Sequence, residues 1–278
     1  MITRPIIPLC LPLIAAGWIG ATPAADGEEK FGLEFHGDFP AERLKAVGKI
    51  KEIPGPDPEL YPAFSPGSRA VEFNGKGAHL RIRDQGAALQ FSNGDAITIE
   101  AWIRLDRISN GQNHYIIGKG RTHRPGYPRD NQNWALRLRG LGGAAQVSFL
   151  FRSRGEDGQP GAFHRWNSDL AISPGKRWHH LAIRYEFGKP KSARAVMDGK
   201  VCAGTWDMGG ATTRAPVTDD DETWLGSSLG GAEGNSFDGA IASVSVHREA
   251  LPPELLASRF VLRRNMPPPD LTGLAPAE

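Results

Sequence analysis

Apolar and polar positions alternate with a period of two through much of the chain. Between Ala96 and Leu105, the residues Ile97, Ile99, Ala101, Ile103 and Leu105 fall on one face, and Thr98, Glu100, Trp102 and Arg104 on the other. Shorter stretches of strand-like text run over Phe31–Phe35, Val71–Phe73, Ala78–Arg83, Trp134–Leu138 and Val147–Phe151. More follow at Trp178–Tyr185, Ala193–Met197, Lys200–Ala203, Thr223–Leu225 and Phe237–His247. Turn chemistry separates them: Asn74-Gly75, Asn93-Gly94 and Asp198-Gly199, the last a strong hairpin signal. One helix is expected over Pro252–Phe260, with prolines at its start. Two long polar stretches, Gly118–Asn133 and Arg152–Ser168, are read as irregular loops. Roughly a dozen short strands with almost no helix predict an all-β antiparallel sandwich or barrel. No repeat of fixed period is visible, which weighs against a propeller.

Composition agrees with a turn-rich β protein. Among 278 residues there are 34 glycines and 22 prolines, without a collagen period. The 33 basic and 31 acidic side chains nearly cancel, so nothing suggests a partner as polyanionic as nucleic acid. Two cysteines exclude a disulfide-rich scaffold and a multi-cysteine zinc module.

The first residues change the picture of where the chain works. Arg4 precedes a short apolar run broken by Pro8 and Pro12, and Thr22-Pro-Ala-Ala25 supplies small residues before Asp26. This is the layout of a secretory signal peptide over 1–24, not of a stable membrane span. Its removal would take Cys10 and leave Cys202 as a lone thiol, read as a small buried apolar residue. The remaining organisation is a lead-in strand and Pro-rich segment packing on the sandwich (25–66), one domain (67–264) and a flexible tail (265–278).

Three motifs in order resemble a known family. Ile97-Thr-Ile-Glu-Ala-Trp102, then Trp178-His-His-Leu-Ala182 with Asp198-Gly-Lys200, then Phe237-Asp-Gly-Ala-Ile241 through Val244–Leu251 and Glu254, are similar to the laminin-G-like jelly rolls. These belong to the concanavalin A-like sandwiches. The resemblance covers about residues 70 to 262 and implies an antiparallel two-sheet jelly roll with one short C-terminal helix. It also implies a binding or adhesion module, in some members with a calcium ion at the sheet rim. Where the family has an acidic pair after the closing Gly-x-Ile, this chain has Ala242-Ser243. Trp102 and Trp178 are expected to fill the sandwich interior.

Catalytic constellations are weak. Gly226-Ser-Ser-Leu-Gly230 matches a nucleophile elbow, with Asp238 and His247 behind it, but glycines follow where the elbow needs a helix. Glucanases of this fold set carboxylates at alternate positions of one strand, and Glu100 has no such neighbour. His179 and His180 point to opposite faces of a strand, so they do not grip one zinc ion. The acidic run Asp219, Asp220, Asp221 and Glu222 is the candidate calcium site, with Asp95, Asn235 and Asp238 as co-ligands to be placed.

Recognition is expected in the two long loops. Arg121, Arg124, Tyr127 and Arg129 lie in one and Trp166 in the other, where rings suit sugar faces and guanidinium groups suit carboxylates or sulfates. The sequence thus reads as an exported (secreted, periplasmic or cell-surface) non-catalytic module for an extracellular glycan or protein. The alternatives are a glycan-cleaving hydrolase or lyase of the same fold and a purely structural envelope protein. No cofactor is required, with calcium the one candidate.

Overall fold

The period-two text between Ala96 and Leu105 forms a ten-residue strand at the centre of a sheet. The computed structural model describes residues 32–35, 44–82, 86–263 and 271–273, so the expected leader at 1–24 lies outside the described residues. In chain order the strands are β1 (Gly32–Phe35), β2 (Leu44–Val47), β3 (Lys51–Pro54), β4 (Arg69–Asn74), β5 (His79–Ile82), β6 (Ala96–Leu105), β7 (Asn113–Lys119), β8 (Trp134–Leu141) and β9 (Ala144–Arg152). They continue with β10 (Phe163–Ile172), β11 (Trp178–Glu186), β12 (Lys189–Met197), β13 (Lys200–Cys202), β14 (Gly204–Met208), β15 (Thr223–Leu225), β16 (Asp238–His247) and β17 (Leu271–Gly273). The helix α1 spans Pro253–Ser258.

Two antiparallel sheets result, as a jelly roll requires. The first runs β13-β12-β11-β6-β16-β4-β3, with β1 beside the second half of β16. The second runs β14-β10-β9-β8-β7-β15-β5-β2, with β17 beside the end of β10. Between them lies the main core. Ile97, Ile99 and Ile103 of β6 share it with Trp134, Leu136 and Leu138 of β8 and with Val147, Phe149 and Phe151 of β9. Each such side chain stabilises the fold by about 1.5–3 kcal/mol on burial. Cys202 is a free thiol buried in the same core, and burial pushes its pKa up to about 12.

The hairpin at Asp198-Gly199 forms between β12 and β13, both residues with positive φ, 47° and 77°. The buried Asp198 carboxylate also accepts from the His180 backbone N–H at 2.8 Å and pairs with His179 Nδ1 at 2.7 Å, fastening the turn to β11. Asn74-Gly75 behaves differently. It carries the chain from β4 in the first sheet to β5 in the second, so it is a crossing between layers.

Trp102 and Trp178 are not in the interior. Both lie on the outer face of the first sheet, because alternation puts Trp102 opposite the isoleucines of β6. The Pro-rich segment covers them. Tyr61 and Phe64 meet the Trp102 ring edge-on at 5.8 and 5.1 Å, Phe260 stacks on it at 5.6 Å, and the Tyr61 hydroxyl accepts from the Trp178 backbone N–H at 3.1 Å. Farther along that face, Leu256 of α1 packs on Ala182 and Val196.

Glu100 sits between these covers and has partners that its own strand does not reveal. His247 Nε2 lies 3.1 Å and His180 Nε2 3.3 Å from its carboxylate, and an Arg259 guanidinium N–H donates to it. Burial works to raise its pKa, but the hydrogen bonds from His180 and His247 and the Arg259 charge outweigh it and hold the group near about 2.

The tail reading also needs correction. Within 265–278, Leu271–Gly273 forms β17. Strand β14 pairs only with Arg165–Ser168, which leaves the edge of Leu170–Ile172 for β17, and Leu271 packs against the main core.

Candidate functional site on the outer face of the second sheet

The same alternation that sends Trp134, Leu136 and Leu138 inward sends Ala135, Arg137 and Arg139 outward from β8. Cross-strand pairing then aligns Tyr115 of β7, Arg137, Ser148 of β9 and Asn167 of β10 in one row. The first sheet's outer face is closed by aromatic cover. The second carries this polar row tucked beneath its surface, with Tyr115 1%, Arg137 3%, Ser148 0% and Asn167 4% exposed.

Arg137 lies at its centre, 3% exposed. Its guanidinium stands 5.4 Å from the Tyr115 ring centroid and donates through Nη2 to Ser148 Oγ at 3.0 Å, while Nε has no partner. Burial lowers its pKa to about 10, helped by the nearby Arg165 and Arg121 charges and opposed by Tyr115. Arg121, at the base of the 120–133 loop, lies over the Phe163 ring at 4.7 Å with Nη1 3.4 Å from the Tyr115 hydroxyl, and its Nε is also unpartnered. The Tyr115 hydroxyl donates to Gln132 Oε1 at 2.9 Å. Asn113 Oδ1 and Asn167 Oδ1 complete a set of buried polar atoms without a hydrogen-bond partner.

The neighbouring arginines are paired. Arg165 grips Asp207 with two bonds of 2.7 and 2.8 Å, Arg139 reaches the same carboxylate at 3.2 Å, and Arg152 meets Asp130 at 2.9 Å. Arg121 and Arg137 have no carboxylate partner among the described residues.

Of the residues singled out in the sequence, Arg121 alone joins this face. Arg124 is drawn to Glu222 at 2.6 Å, Tyr127 reaches the backbone oxygen of Asp220 at 3.4 Å, and Arg129 is exposed on the loop. Trp166 is a correction. Within Arg152–Ser168 residues 153–162 are irregular as expected, but 163–168 belong to β10, and Trp166 of that strand points into the main core at 2% exposure. It faces the core between the sheets, away from the outer face of the second.

The acidic run is already partnered. Asp221 is wholly buried and accepts from Thr122 Oγ1 at 2.7 Å and Asn131 Nδ2 at 3.1 Å. Asp219 accepts from Asn131 Nδ2 at 2.6 Å, and Glu222 from Trp224 Nε1 at 2.7 Å besides its pair with Arg124. Asp220 is exposed. Among the described residues no three His, Cys, Asp or Glu side chains converge as a metal cage. These residues clamp the 120–133 loop to the 217–223 segment, an arrangement that does not fit a calcium ion. Asp238 is placed elsewhere, paired with Arg107 at 2.9 Å in an end cleft of about 220 Å³ that Asn74, Lys76 and Glu233 also line. Ser227 and Ser228 are structural too: Ser227 bonds Ser236 at 2.8 Å, and Ser228 donates to the Arg121 carbonyl at 3.0 Å. Asp238 and His247 stand at opposite ends of β16, roughly 30 Å apart, so no elbow triad assembles.

Comparison with known proteins decides the family. The laminin-G family model described as the concanavalin A-like lectin/glucanases superfamily matches residues 74–257. The chain belongs to this superfamily. A search of the curated proteins finds no match to this laminin-G-like domain. Among solved structures, the binding domain of Paraclostridial Mosquitocidal Protein 1 is similar at a TM-score of 0.52 and 13% identity, over 78% of this chain and 46% of that one. The laminin-G-like domain thus spans a little under half the length of that match. The CBM40 of Ruminococcus gnavus IT-sialidase gives 0.48 and 16%, over 69% and 96% of the two chains. Domain 4 of AbnA, an extracellular GH43 arabinanase of Geobacillus stearothermophilus solved with arabinotriose, gives 0.46 and 16%, over 83% and 88% of the two chains. At 13% identity the likeness to the mosquitocidal protein's binding domain concerns the fold alone.

The site residues missed in the sequence are Tyr115, Arg137, Ser148 and Asn167. One signal was present: Arg137 and Arg139 alternate with leucines in a strand whose other face is apolar, which marks an outward face with chemistry on it.

Proposed function

We propose that this laminin-G-like domain is an exported, non-catalytic module that binds a glycan along the outer face of β7–β10. The observation that carries the reading is the set of unpartnered buried atoms on that one face: Asn113 Oδ1, Arg121 Nε, Arg137 Nε and Asn167 Oδ1. Each such atom costs about 1–3 kcal/mol unless something pairs with it, and a row of hydroxyl-bearing rings supplies both donors and acceptors. Tyr115 and Phe163 add rings among the polar groups. Export is supported by the leader-like text at 1–24. Among the described residues no helix is long and apolar enough to cross a membrane.

The test is affinity electrophoresis of the protein through a panel of polysaccharides, with reducing-sugar and unsaturated-product assays on the same mixtures. Retention without product release is expected, weakened by Asn167→Ala. Product release would make the protein an enzyme instead. Retention on none of the polymers, with capture of an extracellular protein, would replace the glycan by a protein partner.

A further inference from the structure

Two positive charges on this face have no negative one to answer them. Arg139 and Arg165 share Asp207, and Arg152 has Asp130, but Arg121 and Arg137 meet only Tyr115, Ser148 and the Phe163 ring. A guanidinium buried as deeply as Arg137 normally has a carboxylate beside it, because an uncompensated buried charge is costly. The Tyr115 hydroxyl spends its proton on Gln132 and so cannot supply that charge. Both unpartnered Nε atoms are buried planar donors of the kind that meet an oxyanion, which would reach them by displacing the side chains that cover them.

We infer that Arg121 and Arg137, on either side of Tyr115, form a subsite for an oxyanion carried by the ligand, so that the glycan bound here is an acidic one. This rests on the sheet-face reading above and narrows it. The oxyanion is either the carboxylate of a uronic acid unit or a sulfate ester, and a guanidinium fork accepts both. Arg137 is then held in an unfavourable free state that the ligand relieves, a stability cost accepted for function. The exposed positive charge elsewhere on the chain does not supply this: Lys51, for example, lies on an edge strand of the first sheet.

Isothermal titration with the purified protein tests it, using polygalacturonate, its carboxyl-reduced neutral counterpart and dextran sulfate. Arg121→Gln and Arg137→Met are compared with Lys51→Gln, which removes one charge away from the face, and with Asn167→Ala, which alters the face without touching charge. An acidic polymer is expected to bind, and its affinity to fall ~10- to 100-fold in either arginine variant and on carboxyl reduction, with Lys51→Gln unchanged. Binding of the sulfated polymer alone assigns the subsite to sulfate, and binding of polygalacturonate alone to carboxylate. Thermal melting of the free protein gives a second readout: Arg137→Met is expected to melt no lower than the wild type, since it removes an unpaired buried charge. Neutral polymers bound as tightly as acidic ones, with only Asn167→Ala weakening them, would overturn the acidic subsite and leave the sheet-face reading standing. No binding to any polymer would overturn both. An Arg137→Met variant that melts several degrees lower and still binds would show a structural strut and overturn the inference.

Discussion

Arg137 lies over the ring of Tyr115, 5.4 Å from its centroid, while the hydroxyl of that tyrosine is turned away to Gln132 at 2.9 Å. The ring places the guanidinium and the hydroxyl places the loop. Tyr115→Phe separates the two roles. The ring stays beneath Arg137, Gln132 loses its donor, and stability falls by about 1 kcal/mol. Urea denaturation of the variant checks this. An unchanged midpoint would mean that the Gln132 bond contributes nothing to holding the 120–133 loop.

Trp166 and Tyr127 stood together as loop aromatics in the sequence and part company in the structure. Trp166→Ala opens the main core beside Phe149 and Trp206, so a loss of about 3–5 kcal/mol is expected. Tyr127→Ala on the partly exposed loop is expected to change stability by less than about 0.5 kcal/mol. Calorimetric melting of the two variants distinguishes them, and a comparable loss for both would place Tyr127 among the residues that hold the fold.

What the sequence showed and what it hid divide along physical lines. Features set by neighbours in the chain were legible: the two faces of β6 follow from period two, and the β12–β13 hairpin follows from Asp198-Gly199. Trp102 was misplaced because its cover, Tyr61 and Phe64, comes from a distant Pro-rich segment whose docking leaves no local pattern. Trp166 was misplaced because Gly155, Gly158, Pro160 and Gly161 make the start of its stretch read as loop, and the strand begins only at Phe163. The outward turn of Arg137 was legible from its spacing. Its lack of a carboxylate was not, since that depends on β7, β9 and β10 lying beside it.

His114 makes stability depend on pH. Burial, only partly offset by Asp238, lowers its pKa from 6.5 to about 4, so it stays neutral in the folded protein where the unfolded chain already binds a proton. The stability tied to the neutral ring is therefore fully present above about pH 6.5 and lost as pH falls toward about 4, roughly 3 kcal/mol in all. Denaturation midpoints of the wild type and His114→Gln between pH 7 and pH 4 check the sign. The variant is expected to lose less over that interval, and parallel curves would place the acid sensitivity elsewhere.

Calcium is expected to leave the protein unmoved. Asp219, Asp221 and Glu222 accept from Asn131, Thr122, Trp224 and Arg124, so a cation would have to break bonds already made. Melting temperatures with excess EDTA and with millimolar calcium are expected to coincide. A rise with calcium that Asp221→Asn abolishes would restore the acidic run as a metal site.

Ligands proposed to lie on the outer face of β7–β10 leave their mark on the amides there. Amide chemical-shift mapping during titration with an oligosaccharide of a retained polymer tests this placement most directly. Shifts are expected to concentrate at Asn113, Tyr115, Arg137, Ser148 and Asn167. Shifts confined to the end cleft at Asn74, Lys76 and Asp238, or to Tyr127 and Arg129 at the loop, would contradict it.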